Sequence, residues 1–170
     1  MAGTPSLAQN KNDFALAVLR ISVGVLFLIF AEYKVFGTKF TLHGGFQYWI
    51  NRFLEDGAYP FMRPVLKNFV LPHATLIAFF VAYGELAIGL SLVCGVLVRA
   101  ASFSGLVFML SLLFSANYPG PNAPLWQYFG ASLEHSVLAF CFLAFLIGRP
   151  DAALSLVSLR GKARVTKLAP

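Results

Sequence analysis

The stretch FFVAYGELAIGLSLVCGVLVRAAS, residues 79–102, decides the fold class. It places one carboxylate, Glu85, inside a long run of apolar and small residues. A charged side chain at the centre of a bilayer costs about 3 kcal/mol on insertion scales, so this carboxylate needs a partner, a proton or a function. The surrounding chain is just as apolar, with 58% hydrophobic and 12% charged residues among 170. Soluble domains carry about 25% charged residues, so the composition excludes an ordinary soluble domain.

Four apolar runs predict transmembrane helices, because about 18 or more consecutive apolar residues are enough to cross a bilayer. They cover residues 14–31, 74–98, 100–116 and 131–147. The first run is too long for a signal peptide and no small-residue cleavage site follows it. We therefore predict an all-α membrane protein, a four-transmembrane-helix bundle forming a single membrane domain over residues 1–170.

The distribution of basic residues predicts the orientation, because cytoplasmic flanks carry an excess of Lys and Arg. Eight of the thirteen basic residues fall on one side, namely Lys11, Arg20, Arg99, Arg149, Arg160, Lys162, Arg164 and Lys167. We predict a multi-pass protein of a bacterial-type inner (plasma) membrane with both termini cytoplasmic, including a tail at residues 148–170. The net charge of +6 then reflects topology and contact with anionic membrane lipid. No basic helix or aromatic platform for bases accompanies it, so we expect no nucleic acid partner.

The predicted outer loop, residues 32–73, contains one patterned segment. Apolar side chains recur there at helical spacing, at Phe46, Trp49, Ile50, Phe53 and Leu54. This pattern predicts an amphipathic helix at the outer membrane interface, followed by a segment that Pro60, Pro64 and Pro72 interrupt. Two interpretations remain open. The helix belongs to an interfacial belt of aromatic residues, or it is a lid over a site between the spans.

Two helical faces rich in small residues are expected to pack together, since small residues let helices approach closely in lipid. The face on the first span contains Arg20, Gly24, Phe27, Ala31 and Lys34, and that on the second contains Ala78, Ala82, Glu85 and Gly89. A rise of ~1.5 Å per residue puts Arg20 and Glu85 at similar depth. We therefore expect an ion pair between Arg20 and Glu85. It either fixes the register of the bundle or lines a ligand pocket; the remaining alternative is a charge that faces the lipid.

Polar residues at the predicted outer ends of the spans suggest a second site. His73 begins the second span, and Glu134 and His135 begin the fourth. A histidine beside a carboxylate can relay protons, so Glu134 and His135 are candidate catalytic residues, although polar caps at helix ends are the simpler explanation for His73. Cys94 and Cys141 are predicted at different depths, which argues against a disulfide, and the spacing of His and Cys predicts no metal site.

Three segments resemble the DoxX family: LRISVGVLFLIFAEYKVFG at 19–37, GELAIGLSLVCGVLVRAAS at 84–102 and EHSVLAFCFLAFLIGRPDAALSL at 134–156. The positions that match the family pattern are Arg20, Lys34, Glu85, Arg99 and Glu134. The resemblance covers most of residues 14–160 and implies a four-helix membrane bundle. DoxD relatives serve as the membrane subunit of thiosulfate:quinone oxidoreductase, and other members are tied to redox or sulfur metabolism. The long aromatic first loop departs from the family pattern.

Two functional hypotheses follow. The first is an integral membrane subunit of a quinone-linked oxidoreductase that takes electrons from a redox partner protein. The resemblance suggests sulfur or thiol redox metabolism as its context. Quinone would bind to Arg20, Lys34, Trp49, Phe53, His73 and Glu85. The second is a non-enzymatic membrane scaffold or carrier that binds a lipid or a partner protein. The sequence does not define an oligomeric state.

Overall fold

The structure, a computed structural model, describes residues 7–156, and every regular element in this range is helical. The elements are α1 (Leu7–Phe36), α2 (Thr38–Thr41), α3 (Gly45–Glu55), α4 (Met62–Val65), a π-helical segment (Leu66–Val70), α5 (Ala74–Cys94), α6 (Val98–Ser115), α7 (Leu125–Gly130) and α8 (Leu133–Ile147). Most of the predicted cytoplasmic tail, residues 157–170, lies outside the described residues.

Three of these helices are long and apolar enough to cross a membrane: α1 over Lys11–Phe36, α5 and α6. The helix α8 is also apolar but has 15 residues, or about 22 Å at 1.5 Å per residue. The prediction of a helical membrane protein is therefore confirmed. The helix α1 continues to Phe36, beyond the first predicted span at residues 14–31. The helix α5 ends at Cys94, before the end of the second predicted span at residue 98, because Gly95 adopts a φ of 69°.

The bundle consists of two helix pairs. The first pair is α1 packed along α5, and the second is α6 packed along α8, while the short turn after α5 joins the pairs. Glycines bring α1 and α5 close together: a Cβ at Gly24 would lie 2.9 Å from Leu92 Cβ, and one at Gly89 would lie 3.1 Å from the Gly24 carbonyl oxygen. The two small-residue faces predicted from the sequence therefore do meet.

Among residues 7–156, buried apolar side chains form two clusters. The first lies between the four long helices, where Phe27 and Phe142 meet edge to face at 5.3 Å between ring centroids. The second lies under the segment that links α1 to α5, and Phe46, Ile50 and Leu66 pack there against Ala78 of α5. The linking segment is therefore not a loose loop but a folded cover over the first half of α5.

The linking segment is more helical than predicted. The amphipathic helix is present as α3, with Phe46 and Ile50 buried. The prolines were expected to interrupt the chain, yet Pro64 lies inside α4. A proline is tolerated in the first turn of a helix because the missing N–H would have no acceptor there. The π-helical segment follows directly, and it places Leu66 in the core.

Candidate functional site

A cavity of about 500 Å³ lies between the long helices and the linking segment. Small-molecule sites occupy about 300–1,000 Å³ and are mostly apolar with a few convergent polar groups. The wall follows that pattern. It is formed by Tyr33, Lys34, Phe40, Phe46, Trp49, Ile50, Phe53, Met62, Val65, Leu66, Phe69, Val70, Ile77, Val81, Glu85, Phe108, Ser111, Leu112, Ser115 and His135. Five of the predicted site residues are in this wall.

The carboxylate of the opening stretch is paired with a lysine. Lys34 Nζ lies 2.6 Å from both Glu85 Oε1 and Glu85 Oε2. Both side chains are almost fully withdrawn from solvent, with 11% and 6% of their surface exposed. Charge-assisted hydrogen bonds of this length are strong, and a buried charge is tolerated when it is paired. Glu85 is therefore tolerated in the apolar helix α5 because Lys34 neutralises its charge.

Aromatic rings hold the lysine on its other sides. The Nζ atom of Lys34 lies 5.2 Å from the ring centroid of Phe40 and 5.5 Å from that of Tyr33. Both distances are within the ~6 Å range of cation–π attraction. Phe40 packs in turn against Phe46 of α3, at 5.6 Å between centroids. The ammonium group is thus fixed between a carboxylate and two rings at the edge of the cavity.

The predicted ion pair between Arg20 and Glu85 is wrong. The Arg20 guanidinium donates hydrogen bonds to the backbone carbonyls of Leu92 and Val93 at the end of α5, and to that of Leu154 at 2.7 Å. Side chains of a helix point toward its N-terminus. In α1 that direction leads Arg20 away from Glu85 and leads Lys34 toward it.

Arg20 consequently lies outside the cavity, although it is fully buried. It satisfies carbonyls in the last turn of α5, which have no partner within the helix, and the negative end of the helix dipole favours a cation there. Arg20 is therefore a structural residue of this fold, and its predicted role in ligand binding is not supported.

His135 reaches the cavity from α8, whereas Glu134 points away from it. The His135 side chain is 24% exposed and that of Glu134 is 70% exposed. Their closest atoms, His135 Nδ1 and Glu134 Oε1, are 3.3 Å apart, but the geometry is not that of a hydrogen bond, and Nδ1 has no other partner. The structure therefore places a buried imidazole nitrogen with unused hydrogen-bonding capacity beside the cavity.

The aromatic residues of α3 form one wall of the cavity. Trp49 and Phe53 lie on the same face, with ring centroids 6.4 Å apart. Of the two interpretations of this helix, the structure agrees with a cover over a site between the long helices. His73, by contrast, is exposed and its Nδ1 lies 2.9 Å from the Phe69 carbonyl oxygen, outside the cavity. The simpler explanation of His73 as a helix-end residue fits this position.

Sequence analysis missed the contribution of α6. Ser111 and Ser115 line the cavity, and each hydroxyl donates to a carbonyl one turn earlier, at 2.8 and 2.6 Å. Two serines at an i, i+4 spacing inside an apolar helix were the available signal, since they mark one polar face. Within residues 7–156, no group of three His, Cys, Asp or Glu side chains is placed to bind a metal.

Comparison with known proteins identifies the family of this chain. The DoxX family model matches residues 15–118, more than half of the chain and a range that contains Lys34, Glu85 and the whole linking segment. No curated protein matches the chain significantly, and no solved structure does so. His135 lies beyond the matched range. The chain belongs to the DoxX family.

Proposed function

We propose that this protein is an integral membrane subunit of a quinone-linked oxidoreductase and that the cavity is its quinone site. The observation that carries the proposal is a cavity of about 500 Å³ that combines aromatic walls with a buried Lys34–Glu85 pair and an imidazole. The aromatic and aliphatic wall suits a planar ring and the start of a prenyl tail. A bound quinone would accept electrons and protons from outside the chain, and a redox partner protein, in sulfur or thiol metabolism, would supply the electrons.

Each residue then has a specific role. Lys34 donates a hydrogen bond to a ring oxygen, and Glu85 holds the ammonium group in place. His135 Nδ1 has no hydrogen-bond partner, so the imidazole is available to move a proton at the other polar edge of the cavity. Trp49 and Phe53 cover the ring and keep water out. Glu134 acts only through its closeness to His135.

The proposal includes an orientation in the membrane. We propose that α8 is a fourth span and that α7, which precedes it, adds to its length across the membrane. We also propose that α3 lies at the outer interface, where the exposed Tyr48 and Trp49 contact lipid headgroups. The chain would then lie in a bacterial inner membrane with both termini in the cytoplasm. Membrane lipid would cover the exposed apolar faces of the long helices.

Quinone titration followed by tryptophan fluorescence tests the site. Trp49 lines the cavity, whereas Trp126 on α7 is 68% exposed and lies outside it. A short-tailed quinone should quench the wild-type protein in a saturable way. Most of that saturable quenching should be lost in Trp49→Phe and retained in Trp126→Phe. Quenching that rises linearly in all three proteins would reflect partition into detergent and would contradict the proposal.

Two further variants separate binding from folding. Trp49→Leu should raise the dissociation constant about fivefold, since an aromatic contact contributes roughly 1 kcal/mol, and Trp126→Leu is the matched control. His135→Ala should weaken binding while the melting temperature stays near that of the wild type, because the imidazole has few bonds to lose.

The alternative function is a membrane scaffold or carrier, and the mostly apolar wall of the cavity is the observation that favours it. Mass spectrometry of molecules that copurify with the protein distinguishes the two. A copurified quinone that menadione displaces supports the oxidoreductase subunit. A stoichiometric phospholipid that no quinone displaces supports the carrier.

A further inference from the structure

The Lys34–Glu85 pair contributes no net charge to the cavity. One cation and one anion lie 2.6 Å apart, and transfer of a proton from the ammonium to the carboxylate would leave two neutral groups. The only other titratable side chains in the described wall of the cavity are the imidazole of His135 and the phenol of Tyr33. An approaching ligand therefore meets a strongly polar spot whose total charge is zero.

The pair still has hydrogen bonds to offer. An ammonium group has three N–H donors, and the two carboxylate oxygens together accept about four hydrogen bonds. Glu85 uses two of the Lys34 donors, so one donor and about two acceptor positions remain. A donor and an acceptor side by side can serve a carbonyl oxygen, which accepts, or a hydroxyl group, which donates.

A charged ligand would be treated differently. An anion placed near Lys34 would also lie near the Glu85 carboxylate, so attraction and repulsion would largely cancel. The aromatic and aliphatic walls offer the anion no hydrogen bonds to replace those that it loses when it leaves water. The neutral pair thus favours a ligand that is polar but uncharged.

Resting on the proposed function, we propose that the cavity selects the neutral forms of an oxygen-bearing ring. It binds both the dione and the dihydroxy form through the Lys34–Glu85 pair, and it discriminates against the ionised form of the same ring. Lys34 donates to the carbonyl oxygen of the dione, and Glu85 accepts from the hydroxyl of the reduced ring.

Three naphthalene probes of similar shape test the charge selection: menadione, which is a neutral dione, menadiol, which is its neutral dihydroxy form, and lawsone, which is an ionised dione at neutral pH. Binding is measured by calorimetry in one detergent. Wild-type protein should bind menadione and menadiol at least about tenfold more tightly than lawsone. In Glu85→Gln the ammonium group is left alone, and the preference for menadione over lawsone should fall at least about tenfold. Comparing this ratio between proteins cancels partition into the detergent.

Glu32→Gln is the matched control, because Glu32 is an exposed carboxylate near the same end of α1 and lies outside the cavity. Its probe ratio should equal that of the wild type. An unchanged ratio in Glu85→Gln would overturn the inference.

The variant Lys34→Met/Glu85→Met keeps the test independent of the folding of Glu85→Gln. Replacing a buried ion pair by apolar side chains is often neutral or stabilising. Wild-type protein should prefer menadione to methylnaphthalene, which has no oxygen, and the double variant should lose at least about tenfold of that preference. A preference that survives in the double variant would overturn the inference.

These outcomes separate the inference from the proposed function. If menadione does not bind to the wild-type protein at all, the quinone site itself fails. If menadione binds and displaces a copurified quinone, but lawsone binds equally well to wild type and Glu85→Gln, the quinone site stands and selection by the pair is wrong.

Discussion

Arg20 donates a hydrogen bond from its guanidinium group to the carbonyl oxygen of Leu92, in the last turn of α5. The same side chain reaches Leu154 beyond α8. A Cβ at Gly95 would come within 2.7 Å of Arg20 Nη1, so the glycine that ends α5 also leaves space for the guanidinium. One cation thus joins α1, the end of α5 and the segment after α8.

Loss of this cation should destabilise the bundle without involving Glu85. Arg20→Gln removes hydrogen bonds from a charged donor, which contribute about 1.5–3 kcal/mol each, so the melting temperature in detergent should fall. Because Arg20 and Glu85 do not touch, the effects of Arg20→Gln and Glu85→Gln should add in the double variant. A double variant that is more stable than this sum would restore the ion pair expected from the sequence. Arg99→Gln, at an exposed position, is the control.

In contrast to Arg20 and Glu85, Lys34 and Glu85 should show a favourable interaction energy in the free energy of unfolding. Glu85→Gln leaves a buried ammonium group unpaired, and breaking such a pair costs about 3–5 kcal/mol in soluble proteins. Lys34→Met/Glu85→Met should regain most of that loss. Chemical denaturation of the wild type, Lys34→Met, Glu85→Met and Lys34→Met/Glu85→Met gives the interaction energy. An energy near zero would show that the contact does not stabilise the fold. Lys39→Met, at an exposed lysine, should have little effect.

Close packing of α1 on α5 should make Gly24 intolerant of substitution. A Cβ there would lie 2.9 Å from Leu92 Cβ and 3.0 Å from the Val93 backbone nitrogen, so the helices must separate to admit it. Gly24→Ala should lower the melting temperature, although alanine favours helix more than glycine. Gly84→Ala is the control, because a Cβ at Gly84 has nothing within 4 Å. Equal melting temperatures for the two variants would mean that the helices are not held at this distance.

The segment that links α1 to α5 and the connection between α6 and α8 should loosen at alkaline pH. Tyr59 is buried between them: its N–H donates to the Phe114 carbonyl at 3.1 Å, and its hydroxyl donates to the Tyr128 backbone carbonyl at 3.3 Å. Burial raises the pKa of the Tyr59 phenol, and the neighbouring Tyr128 and Tyr118 raise it further. The folded-state pKa therefore exceeds that of the unfolded chain, so stability should hold below about pH 10 and fall above it.

Tyr59→Phe keeps the ring and removes the ionising group, so the alkaline loss should be smaller in this variant. Thermal melts between neutral and alkaline pH measure the difference. Tyr48→Phe, at an exposed tyrosine, should behave like the wild type. If Tyr59→Phe loses stability as steeply as the wild type, ionisation of Tyr59 is not the cause.

The orientation is open to a direct test. The excess of basic residues at the ends of the chain and in the turn after α5 predicts cytoplasmic termini. Alkaline phosphatase fused after Pro170 should therefore be inactive in a bacterial host, and a fluorescent protein fused at the same position should be bright. Active phosphatase there would reverse the predicted topology.

Much of the fold followed from apolar periodicity alone. The amphipathic pattern around Trp49 identified α3, and the small residues around Gly24 and Gly89 identified the faces that join α1 to α5. These features are visible because helical period and residue size are local properties. The spacing of Trp49 and Phe53 on one face was compatible with a cover over a site and equally with an interfacial belt of aromatic residues.

The partners of the buried charges could not be predicted in the same way. Depth estimates placed Arg20 and Glu85 at similar levels, but the outcome depends on the direction in which long side chains leave the helix. Gly24 packs against Leu92 and Val93, so Arg20 lies level with the end of α5 and Lys34 is the nearer of the two to the level of Glu85. The cavity wall from α6 was missed for a related reason, since Ser111 and Ser115 share that wall with Glu85 only through the packing of separate helices.

The pairing of Lys34 with Glu85 also has an electrical consequence. A single charge displaced across a membrane potential gains or loses about 2.3 kcal/mol per 100 mV, so a lone lysine or glutamate at this position would respond to voltage. The two charges lie 2.6 Å apart and form only a short dipole. Exchange of one uncharged ligand for another beside them moves no charge through the field. Occupancy of the cavity should therefore be the same in energised and de-energised membranes.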